Sequence, residues 1–534
     1  MKFKLICLCL CIFALLAGCT IIPSIPAANT KNAANTPDAI SNSSPTSSSP
    51  STTPFSKAPT STPIKVMPTP SAFTGNKTSG AYLVYLRKGK NGLELAETNQ
   101  YGQGGWSIPY PSPDYDQENG QRDYGDVEGS VSPDGNWMVY YTGDTDTGDL
   151  TLNLMDLSDG VSTAITKLLS ANYPNNFATA YVDLGTSDAP LGLLEFAFEA
   201  GIETNAWSPD SKYLAFAGQM DGNSSDLYLY NVKTKTVKRL SYGSQEIGWI
   251  EWSPDGKWIL TGSSYYIGES MAYTIGLTSP DGEMGKEIST TTTLNGSELL
   301  WVNSHVFLTY NAENGIGSYQ LQAVDIDNGK IKTLCKGPFF DSSLKTAGNW
   351  VLFFAEDPFR SNGKYAIDEL ADGLYLVDMT AFKVSKVDDS KMNATGYVFS
   401  RDNDIGITRS GKNGFLFSDP GKNIFYQMTD GSLIPTGIQA ENVSVAPNQQ
   451  QFIGFDTQAI HFYTIDNGKE QIINIPYWAD ISDSPTITWR PDSSGLFLAS
   501  GHMLYMVDFS SNTFTLVDDQ WDEPEWGGMV WVER

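Results

Sequence analysis

Three histidines, His305, His461 and His502, are the first residues to weigh for chemistry. Imidazole is a common metal ligand and the usual proton carrier near neutral pH. The three stand in different parts of the chain, so only a shared central channel could bring them together. We read them as ordinary surface or core residues. Asp144-Thr145-Asp146-Thr147-Gly148-Asp149 has carboxylates at alternate positions, as calcium loops do. It lacks the glycine at the sixth position and a glutamate at the twelfth, where Met155 stands. A solvated acidic hairpin is the better reading, and the same holds for Asp402-Asn403-Asp404-Ile405-Gly406. No Gly-x-Ser-x-Gly elbow places a nucleophilic serine. Cys335 reads as a small core residue. The expectation is no catalytic residue, no metal, no cofactor and no enzyme activity.

Aromatic side chains are the other residues that can recognise a ligand, and they make up 12% of the chain. Tryptophans that recur just before turns are expected to pack between sheets rather than to stack on sugars. Tyr265-Tyr266 and the tail Trp521-Asp522-Glu523-Pro524-Glu525-Trp526 fit strands less well. They are our candidates for an exposed contact surface.

The elements that must position these residues come from a repeat, clearest at Glu251–Ser263 (Glu-Trp-Ser-Pro-Asp-Gly-Lys-Trp-Ile-Leu-Thr-Gly-Ser). Relatives occur at Val131–Gly143, Ala206–Gly218 and Thr488–Gly501. Proline fixes φ at the second turn position, aspartate bonds nearby backbone, and glycine accepts positive φ. Each turn opens an apolar strand, and further apolar runs make about four short strands per unit, one propeller blade. Anchors near Val131, Trp207, Trp252, Trp301, Trp350, Val398, Val445 and Trp489 are spaced 45, 49, 49, 48, 47 and 44 residues apart from Trp207 onward. A fixed period of this size predicts an all-β fold, a β-propeller, over residues 78–534. Ser279-Pro280-Asp281-Gly282 falls at the wrong phase, between later strands of its unit. Ala81–Glu97 supplies strands without an anchor, and Gly527–Val532 a lone strand, so the two ends are expected to close the ring together. A literal count gives nine units. Rings of nine are uncommon, so we expect eight blades, with seven and nine as alternatives. Ala171–Asn205 is one long insertion, with a possible helix at Leu191–Ala200.

Residues 1–18 read as a secretion signal, with Lys2 and Lys4 before the apolar run Leu5–Leu16. Residues 19–77 form a Ser/Thr/Pro-rich tether that cannot bury a core and is expected to stay extended and disordered. Without Cys7, Cys9 and Cys11 of the signal, Cys19 and Cys335 are the cysteines left, and no disulfide framework is expected. The formal charge is −27, or −29 once Lys2 and Lys4 leave with the signal. That argues against nucleic acid and against a basic hold on anionic lipid.

The Trp-Ser-Pro-Asp-Gly turns with their apolar strands resemble the TolB-type, WD40-like propeller repeat, which also forms the propeller of prolyl-oligopeptidase and dipeptidyl-peptidase enzymes. The resemblance covers Val131–Val517 and implies a propeller, commonly one that binds proteins in the cell envelope. The sequence leaves no room for the separate N-terminal domain expected of TolB itself, so that protein's partner is not expected here. Ala323–Lys330 and Tyr463–Lys469 look like units of a quinoprotein-like repeat, but also like ordinary hairpin turns. Ser253-Pro254-Asp255-Gly256-Lys257-Trp258 has the letters of a sialidase Asp-box in the wrong order. Leu16-Ala17-Gly18-Cys19 resembles a bacterial lipobox. That resemblance implies cleavage before Cys19, lipidation of Cys19 by fatty acids such as palmitate, and a protein anchored to the cell membrane or outer membrane, outside the cytoplasm. The expected function is a non-enzymatic protein-binding or scaffold module, a monomeric propeller with an envelope protein or peptide as partner. The alternative is a carbohydrate- or small-ligand-binding propeller, enzymatic or not, with its site at the channel mouth.

Overall fold

The structure is a computed structural model. It describes residues 80–110, 127–142, 150–169, 205–221, 225–242, 246–267, 270–289, 300–312, 319–337, 344–355, 370–388, 398–399, 406–419, 422–440, 442–455, 458–481, 485–522 and 528–533. All of them belong to the compact unit that runs from Pro68 to Arg534.

These residues form nine small antiparallel sheets, the blades of a β-propeller. The expected eight is therefore corrected to nine. The literal count was right, because Ala81–Gly89, Gly92–Asn99 and Ser107–Pro109 make a full blade once Met529–Glu533 pairs against the first of them. How often rings of nine occur has no bearing on how many sheets this chain can build. We number the blades 1 to 9 in chain order, with this composite sheet as blade 1.

Both broad sides of a blade are buried, which is why its middle strands run apolar instead of alternating. In Ala81–Gly89, Tyr82, Val84 and Leu86 pack on blade 2, while Leu83 and Tyr85 pack on blade 9. Comparable apolar clusters join blades 2, 3 and 4, blades 4 and 5, 5 and 6, 6 and 7, and 7 and 8. Phe462 stacking on Phe509, beside Trp489, joins blades 8 and 9. Fourth strands such as Ser162–Lys167 and Thr236–Arg239 are exposed and form the outer rim.

The repeated turn does what its residues require. Ser253 Oγ donates to Asp255 Oδ1 at 2.9 Å, Lys257 N donates to the same oxygen at 3.2 Å, and Trp258 N donates to Ser253 Oγ at 3.0 Å. Gly256 sits at φ 68°. Ser279–Gly282 makes the same turn between a third and a fourth strand, as its phase indicated. Degenerate copies keep the backbone: Ser211, Gln449 and Ser493 take the glycine position at φ 58° to 59°. Two of these serines serve a second purpose. Asp134 N donates to Ser211 Oγ at 2.9 Å and Asn448 N to Ser493 Oγ at 3.1 Å, each tying one blade's turn to the next.

Four indoles also bind blade to blade. Trp252 Nε1 donates to Ala206 O at 3.0 Å, Trp489 Nε1 to Ser444 Oγ at 2.8 Å, and Trp531 Nε1 to Thr488 Oγ1 at 3.1 Å. Trp531 stands on the C-terminal strand, so the closing junction uses the same bond as the others. Blade 2 is the exception in its inner strand. A helical turn, Val127–Ser130, lies against the inner strands of blades 1 and 3, followed by a single bridge between Val131 and Met138. Ser130 O still accepts from Trp207 Nε1 at 3.0 Å. Trp350 departs from the expected phase: it opens the second strand Trp350–Ala355, after the turn.

Candidate functional surface

Strand direction sorts the loops onto two faces. First-to-second and third-to-fourth turns share one side, here called the turn face. Second-to-third turns and the links from one blade to the next share the other, the junction face. The turn face is built of short turns whose polar groups bond one another. Asp508 shows this best. Burial pushes its carboxyl up, but hydrogen bonds from Ser510, Ser511 and Arg490 outweigh that and hold it well below the usual carboxylate range. Asp210 is lowered by its bond from Lys212.

The junction face carries exposed aromatics in the links between blades. Tyr242 follows the last strand of blade 3 and is 76% exposed, and Tyr477 follows the last strand of blade 8 and is 73% exposed. Under Tyr242 the Arg239 guanidinium lies 4.7 Å from the ring centroid. Arg239 Nη2 donates to Asp226 at 2.6 Å and its Nε to Ser241 O at 3.0 Å. Ser241 Oγ donates to Asp226 Oδ1 at 3.1 Å. Burial raises Asp226 above the usual carboxylate value, against the opposing pull of Arg239. Asp221 accepts from Tyr228 OH at 3.1 Å and lies 3.8 Å from Arg239 Nη1. Beside Tyr477, Trp478 packs against Tyr505 and Phe514 of blade 9, which holds the link down and leaves Tyr477 outward.

The candidate residues are placed as follows. Tyr265 and Tyr266 lie near the end of the strand Ile259–Ile267, on the junction-face side. Trp521 is corrected. It is fully buried between blades 9 and 1, and its backbone bridges to Arg87, so it closes the ring and offers no contact surface. Asp522 N donates to Leu86 O at 3.1 Å, and residues 523–526 of that tail lie outside the described residues. The histidines do not meet. His305 pairs with Asp327 at 3.0 Å on the turn face, His461 pairs with Glu470 at 2.8 Å near the rim, and His502 sits in a second-to-third turn on the junction face. Among the described residues no group of three or more His, Cys, Asp or Glu is placed to hold a metal. Cys335 is half-buried on a fourth strand, and burial pushes its thiol up to about 12. Asp325-Ile326-Asp327-Asn328-Gly329 is a hairpin turn in which Asp325 accepts from Asp327 N and Asn328 N. Cys19 and the tether, Asp144–Asp149 and residues 171–204 lie outside the described residues, as do residues 402–405. Gly406 opens the second half of blade 7's divided inner strand.

Sequence reading missed a set of rim contacts. The Lys238 ammonium bonds Asp281 O, Lys286 Nζ donates to Asp327 O at 2.9 Å, and Gln471 Nε2 donates to Phe509 O at 2.7 Å. Each joins a fourth strand to the next blade's third-to-fourth turn, and Lys332 over the Phe382 ring does likewise. Three of the four are lysines, but the residues around them differ from blade to blade, so no motif announced them.

No model of a known protein family matches the sequence, and no curated protein matches it. Solved structures with a similar fold include a eukaryotic initiation factor, 12% identical over 85% of this chain and 98% of that one, with a TM-score of 0.49. TolB from Acinetobacter baumannii is 16% identical over 58% of this chain and 64% of its own, with a TM-score of 0.28. The propeller domain of the Trilobed protease from Pyrococcus furiosus is 13% identical over 75% and 99%, with a TM-score of 0.32. Likeness at these levels says nothing of partner, substrate or reaction.

Proposed function

We propose that this chain is a non-enzymatic protein-binding propeller of the cell envelope, anchored through lipid on Cys19 and held off the membrane by residues 19–77. Its junction face receives a protein or peptide partner. The observation that carries this is the pair of outward tyrosines on one face, Tyr242 and Tyr477. Tyrosine supplies large contact area at low entropic cost and is enriched in interfaces. Here one ring rests on a fixed guanidinium and the other rides on a packed link, so both are held before a partner arrives.

The test is photo-crosslinking in intact cells, with the crosslinking residue at Tyr242, at Tyr477 and, on the turn face, at Asp255. Capture of the same protein from both tyrosine positions and not from Asp255 supports the proposal. Capture from Asp255 alone moves the surface to the turn face. A glycan or small molecule recovered in place of a protein overturns the protein-binding reading and favours a site at the channel mouth.

A further inference from the structure

We propose that the Tyr242 site binds a lysine or arginine side chain from a basic segment of the partner, with Tyr477 as a second contact of the same kind. This rests on the reading of the junction face as a protein-binding surface. The cluster holds two carboxylates, Asp221 and Asp226, against one guanidinium, Arg239. Asp226 is buried, 2% exposed in its side chain, and its charge is matched by Arg239 at 2.6 Å. Asp221 is left with the surplus negative charge, and its side chain is 54% exposed. Arg239 touches both Tyr242 and Asp221, so ring and carboxylate lie within reach of one incoming side chain.

A cation laid against the exposed part of the Tyr242 ring gains the attraction of the ring quadrupole, and its charge can pair with Asp221. Arg239 already covers one face of the ring and faces Asp221 through Nη1 at 3.8 Å. Its Nη2 and Nε are committed to Asp226 and Ser241 O, so one positive charge answers two carboxylates and the other ring face is left to the incoming cation. Ser241 is itself fixed, because its Oγ also accepts from Leu227 N at 2.8 Å. Tyr477 is likewise an outward ring with an exposed carboxylate close by in the chain, Asp480 three residues on. A chain of formal charge −27 also draws a basic partner by long-range steering.

The experiment uses the full lipidated chain in detergent micelles, titrated with a ten-residue peptide of alternating lysine and glycine at low and at physiological salt. A peptide with glutamate in place of lysine is the control. Tyr242→Ala leaves every charge in place and is expected to weaken binding about three- to fivefold. Asp221→Asn and Tyr477→Ala are expected to weaken it by similar factors. Unchanged binding in Tyr242→Ala and Tyr477→Ala would show that only bulk charge attracts the peptide, and the proposal fails. Absence of binding to the lysine peptide at low salt also overturns it. A partner crosslinked at Tyr242 through an acidic or apolar segment sinks this inference while leaving the protein-binding reading standing. Failure to capture any protein removes the reading itself.

Discussion

At the scale of residues, the turn carboxylates are held by neighbouring hydroxyls and amides and have measurable consequences. Asp508 has a folded-state pKa below its unfolded value of about 3.9. The stability it contributes is therefore fully present above about pH 4 and is lost as pH falls through the folded value. Asp508→Asn is expected to cost about 2 kcal/mol at pH 7, the loss of charge-assisted bonds from Arg490, Ser510 and Ser511. Below about pH 4 the wild type loses this advantage progressively, so the gap is smaller at pH 3 and closes only as pH falls through the folded value. Denaturation midpoints at pH 7 and pH 3 check this, and an equal gap at both pH values would disprove it. Gly135 is a second test. It stands at φ 67°, and a Cβ there would lie 2.3 Å from Val532 Cβ of the C-terminal strand. Gly135→Ala is expected to cost about 2 to 4 kcal/mol from strain and overpacking together, read as a fall in the denaturation midpoint.

At the scale of elements, two kinds of bond join blades, and they should differ in weight. The indole bonds run through buried or partly buried groups, so Trp252→Phe, which keeps a ring but loses the donor to Ala206 O, is expected to cost about 1 kcal/mol. The rim contact of Lys286 is exposed, and Lys286→Met is expected to change stability by less than about 0.5 kcal/mol. Thermal melts of the two variants decide the order, and a larger effect from Lys286 would reverse this account. The tight turns of the repeat were legible in the sequence because proline, aspartate and glycine each have a local reason to be there. The copies at Ala446–Gln449 and Arg490–Ser493 show how much of the motif can change while the turn survives. The sequence-predicted contact surface was partly misplaced for a related reason. Trp521 follows a strand and precedes charged residues, which looks like an exposed tail. Its burial is completed by residues more than 400 positions away, Leu83, Tyr85 and Ala96 at the start of the ring, together with blade 9.

At the scale of the whole molecule, closure holds the ring in one piece. Met529–Glu533 pairs with Ala81–Gly89, while Arg87 and Tyr85 both bond Asp518 of blade 9 at 2.7 and 2.9 Å. Removing residues 529–534 deletes the inner strand of blade 1 and bares a long strand edge. That variant is expected to melt at a lower temperature and to aggregate in size-exclusion chromatography. A monomeric variant with wild-type stability would show that the C-terminal strand is dispensable. The proposed anchor has its own test: Cys19→Ser should move the protein from the membrane fraction to the soluble fraction of cells.

The sequence by itself determined the all-β class, the blade period, the shape of the Ser-Pro-Asp-Gly turns and the pairing of the two chain ends. These follow from backbone chemistry and apolar spacing, which act within a few residues or recur at a fixed interval. Tertiary structure chose nine blades from the seven to nine the sequence left open, and it alone decided that Trp521 is core and that Tyr242 rests on Arg239 beside Asp226. Burial and side-chain pairing depend on which strands become neighbours, and in a closed ring the first and last blades meet across nearly the whole length of the chain.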